Sequence, residues 1–160
     1  TPVGGLEIVL GKLLPYLAIG FFDVVMVVGM GIGVFGVPFR GSALLLGSMS
    51  LLFLLGAFGL GIFISAVAGS QLLAMQIAMV ATYLPALLLS GFLFDIAGMP
   101  LLLQAFTFLV PARYYVSVIR GVLLKGVGVS VLWPQALFMV LFAVLGLALA
   151  TRVFRKEIRV

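Results

Sequence analysis

Polar residues are sparse along this chain, and they divide it into apolar runs of about 20 residues, the length that crosses a bilayer as a helix. Four such runs extend from about Leu13 to Phe35, Ala43 to Ala68, Leu72 to Phe94 and Gln135 to Thr151. Turn-forming stretches separate them: VPFRGS after the first, AGSQ after the second and DIAGMP after the third. Before the fourth stands KGVGVSVLWP. There Trp133 suits the headgroup level, and Pro134 suits the first turn of a helix, where its missing N–H would be unpaired anyway. None of the runs alternates apolar and polar residues as a barrel strand does. The pattern predicts an all-α membrane fold with four transmembrane helices, the third bent at Pro85.

The stretch LVPARYYVSVIRGVLLKG, Leu109 to Gly126, follows a different rhythm. Arg113, Ser117 and Arg120 fall at i, i+4 and i+7 and share one helical face, while Tyr115, Val118, Ile119 and Val122 turn elsewhere. Lys125 and Gly126 supply a basic last turn and a stop. This predicts an interfacial helix, too short and too charged to span alone, with its arginines reaching headgroups or carboxylates.

Composition agrees with a membrane solvent. With 65% hydrophobic and 8% charged residues, a chain of 160 residues lacks the polar side chains to cover a water-facing surface. The absence of cysteine and histidine removes disulfides, thiolate and imidazole metal sites and the usual nucleophile–base pairs. The net charge of +5 comes mostly from short flanks, so it reports orientation and lipid headgroups before it reports nucleic acid, which is not an expected partner. Four spans put Lys12, Arg152, Arg155, Lys156 and Arg159 on one side and Arg40, Arg113, Arg120 and Lys125 on the other. The basic tail RVFRKEIRV abuts the last span, which places both ends in the cytoplasm and the Asp95 to Gly126 segment at the extracellular rim. The chain opens TPVGG, without a methionine and without a signal-peptide pattern, and reads as a segment of a longer polypeptide.

Several local patterns invite chemistry. GIGVFG matches a dinucleotide fingerprint, but it lies inside an apolar span rather than between a strand and a helix, and Gly29 with Gly33 forms a small-residue pair suited to helix packing. Gly11-Lys12 lacks the earlier glycine and the following hydroxyl of a phosphate loop. Ala57, Gly61, Ser65 and Gly69 recur every four residues as a packing stripe. Asp23 is an acid inside a span, a candidate for the pathway of a transported molecule, and Tyr16 and Gly20 share its face by helical spacing. Gln76, Thr82, Tyr83 and Ser90 add polarity to the third span, with Gln76 and Tyr83 as further pathway candidates.

The ordered set TPVGGLEIVLGKLLPYL, PALLLSGFLFDIAGMP and LVPARYYVSVIRGVLLKGVGVSVLWP, closed by a basic end, resembles the carboxy-terminal portion of the type-2 ABC transporter permeases, the bacterial drug and polysaccharide exporter group. Its most specific pieces are LLSGFLF followed by MP, and P-A-R-Y followed by R-G-V-L-L-K-G. The resemblance implies a dimeric exporter in the bacterial inner membrane, each half with six membrane helices. It implies no cofactor in this chain, since ATP and Mg²⁺ belong to a separate cytoplasmic ATPase subunit. Residues 1–11 resemble the end of the segment that couples to that ATPase, with Thr1, Pro2, Glu7 and Lys12 as contacts. The four runs correspond to the third to sixth helices, and the Asp95 to Pro111 stretch to a re-entrant element. Asp95 departs from the family pattern, where many members have proline. An apolar or amphipathic substrate would move by alternating access along a path bordered by the first and third spans. A channel or secondary transporter would need ion-coordinating positions on broken helices, at which only Asp23 and Pro85 hint. A membrane-embedded enzyme would need acids, bases or metal ligands clustered at one depth, and the sequence shows no such cluster.

Overall fold

The computed structural model of the chain describes residues 5–157, so Thr1 and Pro2 lie outside the described residues. Helix α1 (Gly5–Gly33) runs unbroken past Lys12, so the expected coupling segment is continuous with the first span from Gly5 onward. It ends at Gly33 rather than Phe35, because Gly36 takes a left-handed φ of 63° and Val37 N–H turns back to the Gly31 carbonyl at 3.0 Å. Ser42 caps helix α2 (Ala43–Val67), its hydroxyl accepting from Leu45 N–H at 3.4 Å. The AGSQ turn works through two residues. Gly69 adopts φ 65°, and Ser70 caps the next helix by accepting from Leu73 N–H at 3.3 Å.

Helix α3 (Gln71–Leu89) answers its proline with a widened turn. Pro85 has no N–H and its ring crowds the carbonyl four residues back, and just ahead of it Met79–Tyr83 form a π-turn in which Leu84 N–H reaches the Met79 carbonyl. The helix stops at Leu89, short of the expected Phe94, since Gly91 turns to φ 80° and the Ser90 hydroxyl accepts from Phe92 N–H at 3.3 Å. Asp95 then starts a 3₁₀ turn (Ile96–Gly98), its carboxylate accepting from Ala97 N–H at 3.3 Å. Helices α4 (Leu101–Thr107) and α5 (Pro111–Arg120) follow, the latter continuing as a π-turn to Lys125. The two limbs meet at a bend of 82°. Gly126 ends the second limb at φ 66°, where the sequence predicts a stop.

Helix α6 (Val129–Glu157) begins well before the expected Gln135, so Pro134 lies inside it rather than in its first turn. Val131 and Leu132 N–H groups both fold back onto the Gly128 carbonyl, and Leu132 is buried in the main cluster with Leu45, Leu46 and Met139. That burial holds the early turn in place.

Helices α2 and α6 run in the same direction and pack most closely. A Cβ on Gly146 would lie 2.5 Å from the Gly56 carbonyl oxygen, and one on Gly59 would lie 2.6 Å from the Gly146 carbonyl carbon. Only glycine permits this approach. Helix α1 lies antiparallel on α2, with Gly20 under the Phe58 ring. The predicted packing glycines behave otherwise. Gly29, Gly33 and Gly61 would have no atom within 4 Å of an added Cβ, so the close contact expected at them is made at Gly56, Gly59 and Gly146 instead.

Four helices, Leu10–Gly33, Ala43–Val67, Gln71–Leu89 and Val129–Val153, are long and apolar enough to cross a membrane. Helix α3 returns to the end of the bundle where α2 began, and α6 starts at that same end, with Leu132 beside Leu45 and Leu46. The α4–α5 segment therefore enters and leaves the bundle by one end, as a hairpin bent by 82°. At the opposite end Leu13 and Ala150 are fully buried together.

Candidate functional site: a re-entrant hairpin and its arginines

The corner of the hairpin is tied by side chains. Thr107 is fully buried, donates its hydroxyl to the Gln104 carbonyl at 2.7 Å and accepts a hydrogen bond from the Arg113 guanidinium. The same guanidinium lies over the Phe108 ring, 4.0 Å from its centroid. The Tyr114 hydroxyl donates to the Phe108 carbonyl at 2.8 Å. The backbone groups of the corner, which would otherwise be unpaired in an apolar surrounding, are thus largely satisfied.

The second limb docks on α2 and α6. Ser50, fully buried on α2, spends its proton on the Leu46 carbonyl at 2.7 Å, so the Tyr115 hydroxyl is the donor in their 2.8 Å contact. The Tyr115 ring stacks on Phe53 with centroids 4.5 Å apart, and Tyr114 stacks on Phe138 of α6 at 4.3 Å. Val118 and Val122 are completely buried. Near the mouth, Arg120 donates to the Gly91 carbonyl at 3.0 Å, and Arg40 N–H donates to the Leu123 carbonyl at 3.2 Å.

The hairpin reaches deep. Its corner, Leu109 to Ala112, faces Ala57 and Gly61 of α2 and Ala78 and Ala81 of α3 across a cavity of about 210 Å³. Ala57 already lies past the midpoint of the 25-residue α2. The small-residue stripe of α2 thus borders the space around the corner, with Ser65 exposed farther along it.

These contacts replace the expectation that the arginines on the shared face of Arg113, Ser117 and Arg120 reach headgroups or carboxylates. Arg113 sits at the deep corner and ends on a threonine hydroxyl, Arg120 ends on a backbone carbonyl, and Ser117 donates to the Arg113 carbonyl of its own helix at 2.9 Å. The helix that carries them is packed into the bundle, not laid on its surface. Along this limb Ser117, Arg120, Leu124 and Lys125 remain exposed. Thr107, Ser50 and Gly91, the partners that hold the hairpin, were not predicted. A hydroxyl residue set in an apolar stretch, as Thr107 and Ser50 are, is the signal that could have found them.

The polar pathway candidates do not come together. Asp23 is exposed on α1 and makes no hydrogen bond or ion pair among the described residues. Tyr16 tilts against Phe58 at 6.2 Å, and Gln76 and Tyr83 are exposed on α3. Glu7 and Lys12 are exposed near the start of α1.

Residues 1–124 match the protein family described as ABC-2 type transporter. Over 149 residues the chain is 38% identical to a probable multidrug ABC transporter permease, YbhS, of Escherichia coli (strain K12), covering 93% of this chain and 40% of that protein. It is 29% identical over 159 residues to a second probable multidrug ABC transporter permease of that organism, YbhR, covering 99% of this chain and 43% of that one. It is also 30% identical over 163 residues to the inner membrane transport permease YhhJ, covering 98% and 42% respectively. The chain therefore spans about 40% of the length of the curated relatives it matches. No solved structure matches it.

Proposed function

We propose, for a chain that belongs to the ABC-2 type transporter family, that it is the carboxy-terminal part of the permease subunit of an ATP-driven exporter, which moves an apolar or amphipathic substrate by alternating access. In this reading a separate ATPase subunit binds ATP and Mg²⁺, and a second permease subunit completes the pathway. The membrane is the bacterial inner membrane. The Leu13–Ala150 end of the bundle faces the cytoplasm, and the hairpin dips in from outside. Glu7 and Lys12 lie on the cytoplasmic side and contact the ATPase.

The observation that carries this reading is the hairpin. Its corner stands deep between α2 and α3 beside small side chains and a cavity of about 210 Å³, so it has room for a second position. A plug of this kind, entering from the far end, suits a pump whose energy source acts at the near end. The test is co-purification of the full-length permease with its ATPase, followed by substrate-stimulated ATP hydrolysis and ATP-dependent uptake into inverted vesicles. Glu7→Lys is expected to lower the amount of ATPase recovered. Transport driven by an ion gradient with no need for ATP would replace this reading with a secondary transporter.

Asp23 supplies a sharper prediction within the same assay. An exposed carboxylate on a spanning helix faces lipid, the rest of the permease or the pathway, and the first is costly for a charge. If it borders the pathway, Asp23→Asn, which keeps shape and removes charge, lowers export or shifts its pH profile while the complex still assembles. Unaltered export across a pH series assigns Asp23 to structure alone.

A further inference from the structure

A second cavity, separate from the one at the hairpin corner, opens sideways between α3 and α4. It is a groove of about 720 Å³ that runs from Val80, midway along α3, to the loop before α4. Leu84, Leu88 and Leu103 form its walls, with Phe94 and Asp95 at the end toward the hairpin mouth. Its volume lies within the roughly 300–1,000 Å³ of small-molecule sites.

Its charge is one-sided. Asp95 is exposed, and its Oδ1 is taken by Ala97 N–H at 3.3 Å. Arg120 is held to the Gly91 carbonyl, and no ion pair compensates Asp95 among the described residues. An apolar groove that ends in one uncompensated carboxylate beside an aromatic ring is complementary to a molecule with a greasy body and a single positive end.

From this geometry we propose that the groove between α3 and α4 binds lipophilic cations, the apolar body lying along Leu84, Leu88 and Leu103 and the cationic end at Asp95. This rests on the exporter reading, for which it names a substrate class and a site on the outer half of the permease.

The test uses the full-length permease with its ATPase in lipid nanodiscs, and equilibrium binding of tetraphenylphosphonium and tetraphenylborate, two ions of the same shape and opposite sign, corrected for empty nanodiscs. The phosphonium is expected to bind more tightly. Asp95→Asn keeps the acceptor for Ala97 N–H and should weaken phosphonium binding about fivefold, the scale of an exposed ion pair, without weakening the borate. Leu88→Trp should fill the groove and weaken phosphonium binding whether or not Asp95 is present. Equal binding of the two ions, which would assign the groove to lipid acyl chains, overturns the proposal. So does phosphonium binding indifferent to Asp95→Asn. ATP-dependent transport is scored separately. Its presence with Asp95-independent binding retires the groove and leaves the exporter standing, and its absence with Asp95-dependent binding does the reverse.

Discussion

Gly146→Ala is expected to lower the stability of the membrane bundle by about 2–3 kcal/mol, the upper part of the overpacking range. The added methyl would stand 2.5 Å from the Gly56 carbonyl oxygen and 3.0 Å from the Gly56 Cα, both backbone atoms that no rotamer change can move aside. Helices α2 and α6 must separate. That separation loosens the cluster of Leu45, Leu46, Met49, Leu132 and Met139, against which the second hairpin limb also packs through Val118 and Val122. The same substitution at Gly61 meets no atom within 4 Å and is expected to leave stability within about 0.5 kcal/mol of the parent. Thermal unfolding of the detergent-purified permease, followed by size-exclusion chromatography after heating, separates the two. A silent Gly146→Ala together with a damaging Gly61→Ala would restore the packing stripe that the sequence suggests and refute the observed α2–α6 contact.

The second large effect is functional. Arg113→Ala is expected to reduce export at least about tenfold while the complex with the ATPase still assembles, because the guanidinium links the two limbs of the hairpin at their deepest point. It removes a charge-assisted hydrogen bond to a fully buried hydroxyl and a cation–π contact with Phe108. Arg113→Lys should not restore export, since an ammonium lacks the planar face that lies on the ring and the second arm that reaches Thr107. Thr107→Val keeps the volume and loses the hydroxyl. Its effect should be smaller, and the double variant should be no worse than Arg113→Ala alone, since both remove one interaction. Full additivity in export rates would show that Arg113 acts elsewhere.

The spanning helices were legible because bilayer thickness leaves a one-dimensional trace, an apolar run of fixed length. Their ends were less so. Helix α3 stops at Leu89 because Gly91 enters the left-handed region, and α6 starts at Val129 because Leu132 finds a buried place. Both causes lie outside the apolar run itself. Helical spacing rightly separated Val118 and Val122 from Arg113 and Arg120, but it gives a face without its neighbour. Facing lipid headgroups and facing a threonine hydroxyl inside the bundle look alike in sequence. The glycines show the same limit. Helix α2 carries small residues both at Ala57 and Gly61 and at Gly56 and Gly59, and only the partner glycine on α6, ninety residues away or nearly so, selects between the two faces. The resemblance to type-2 permeases added an expectation that periodicity could not, a re-entrant element between the last two spans.

If the α4–α5 segment is re-entrant, it enters and leaves by one face of the membrane, between four spans rather than as a fifth. Single cysteines at Gly98 and Lys125, at the two ends of the hairpin, and at Ser70, in the turn between α2 and α3, test it directly in the cysteine-free chain. With an impermeant thiol reagent on intact cells, the first two are expected to label from outside and the third only after the membrane is opened. Labelling of Gly98→Cys and Lys125→Cys from opposite sides would instead make the bent pair a fifth span and rule the hairpin out.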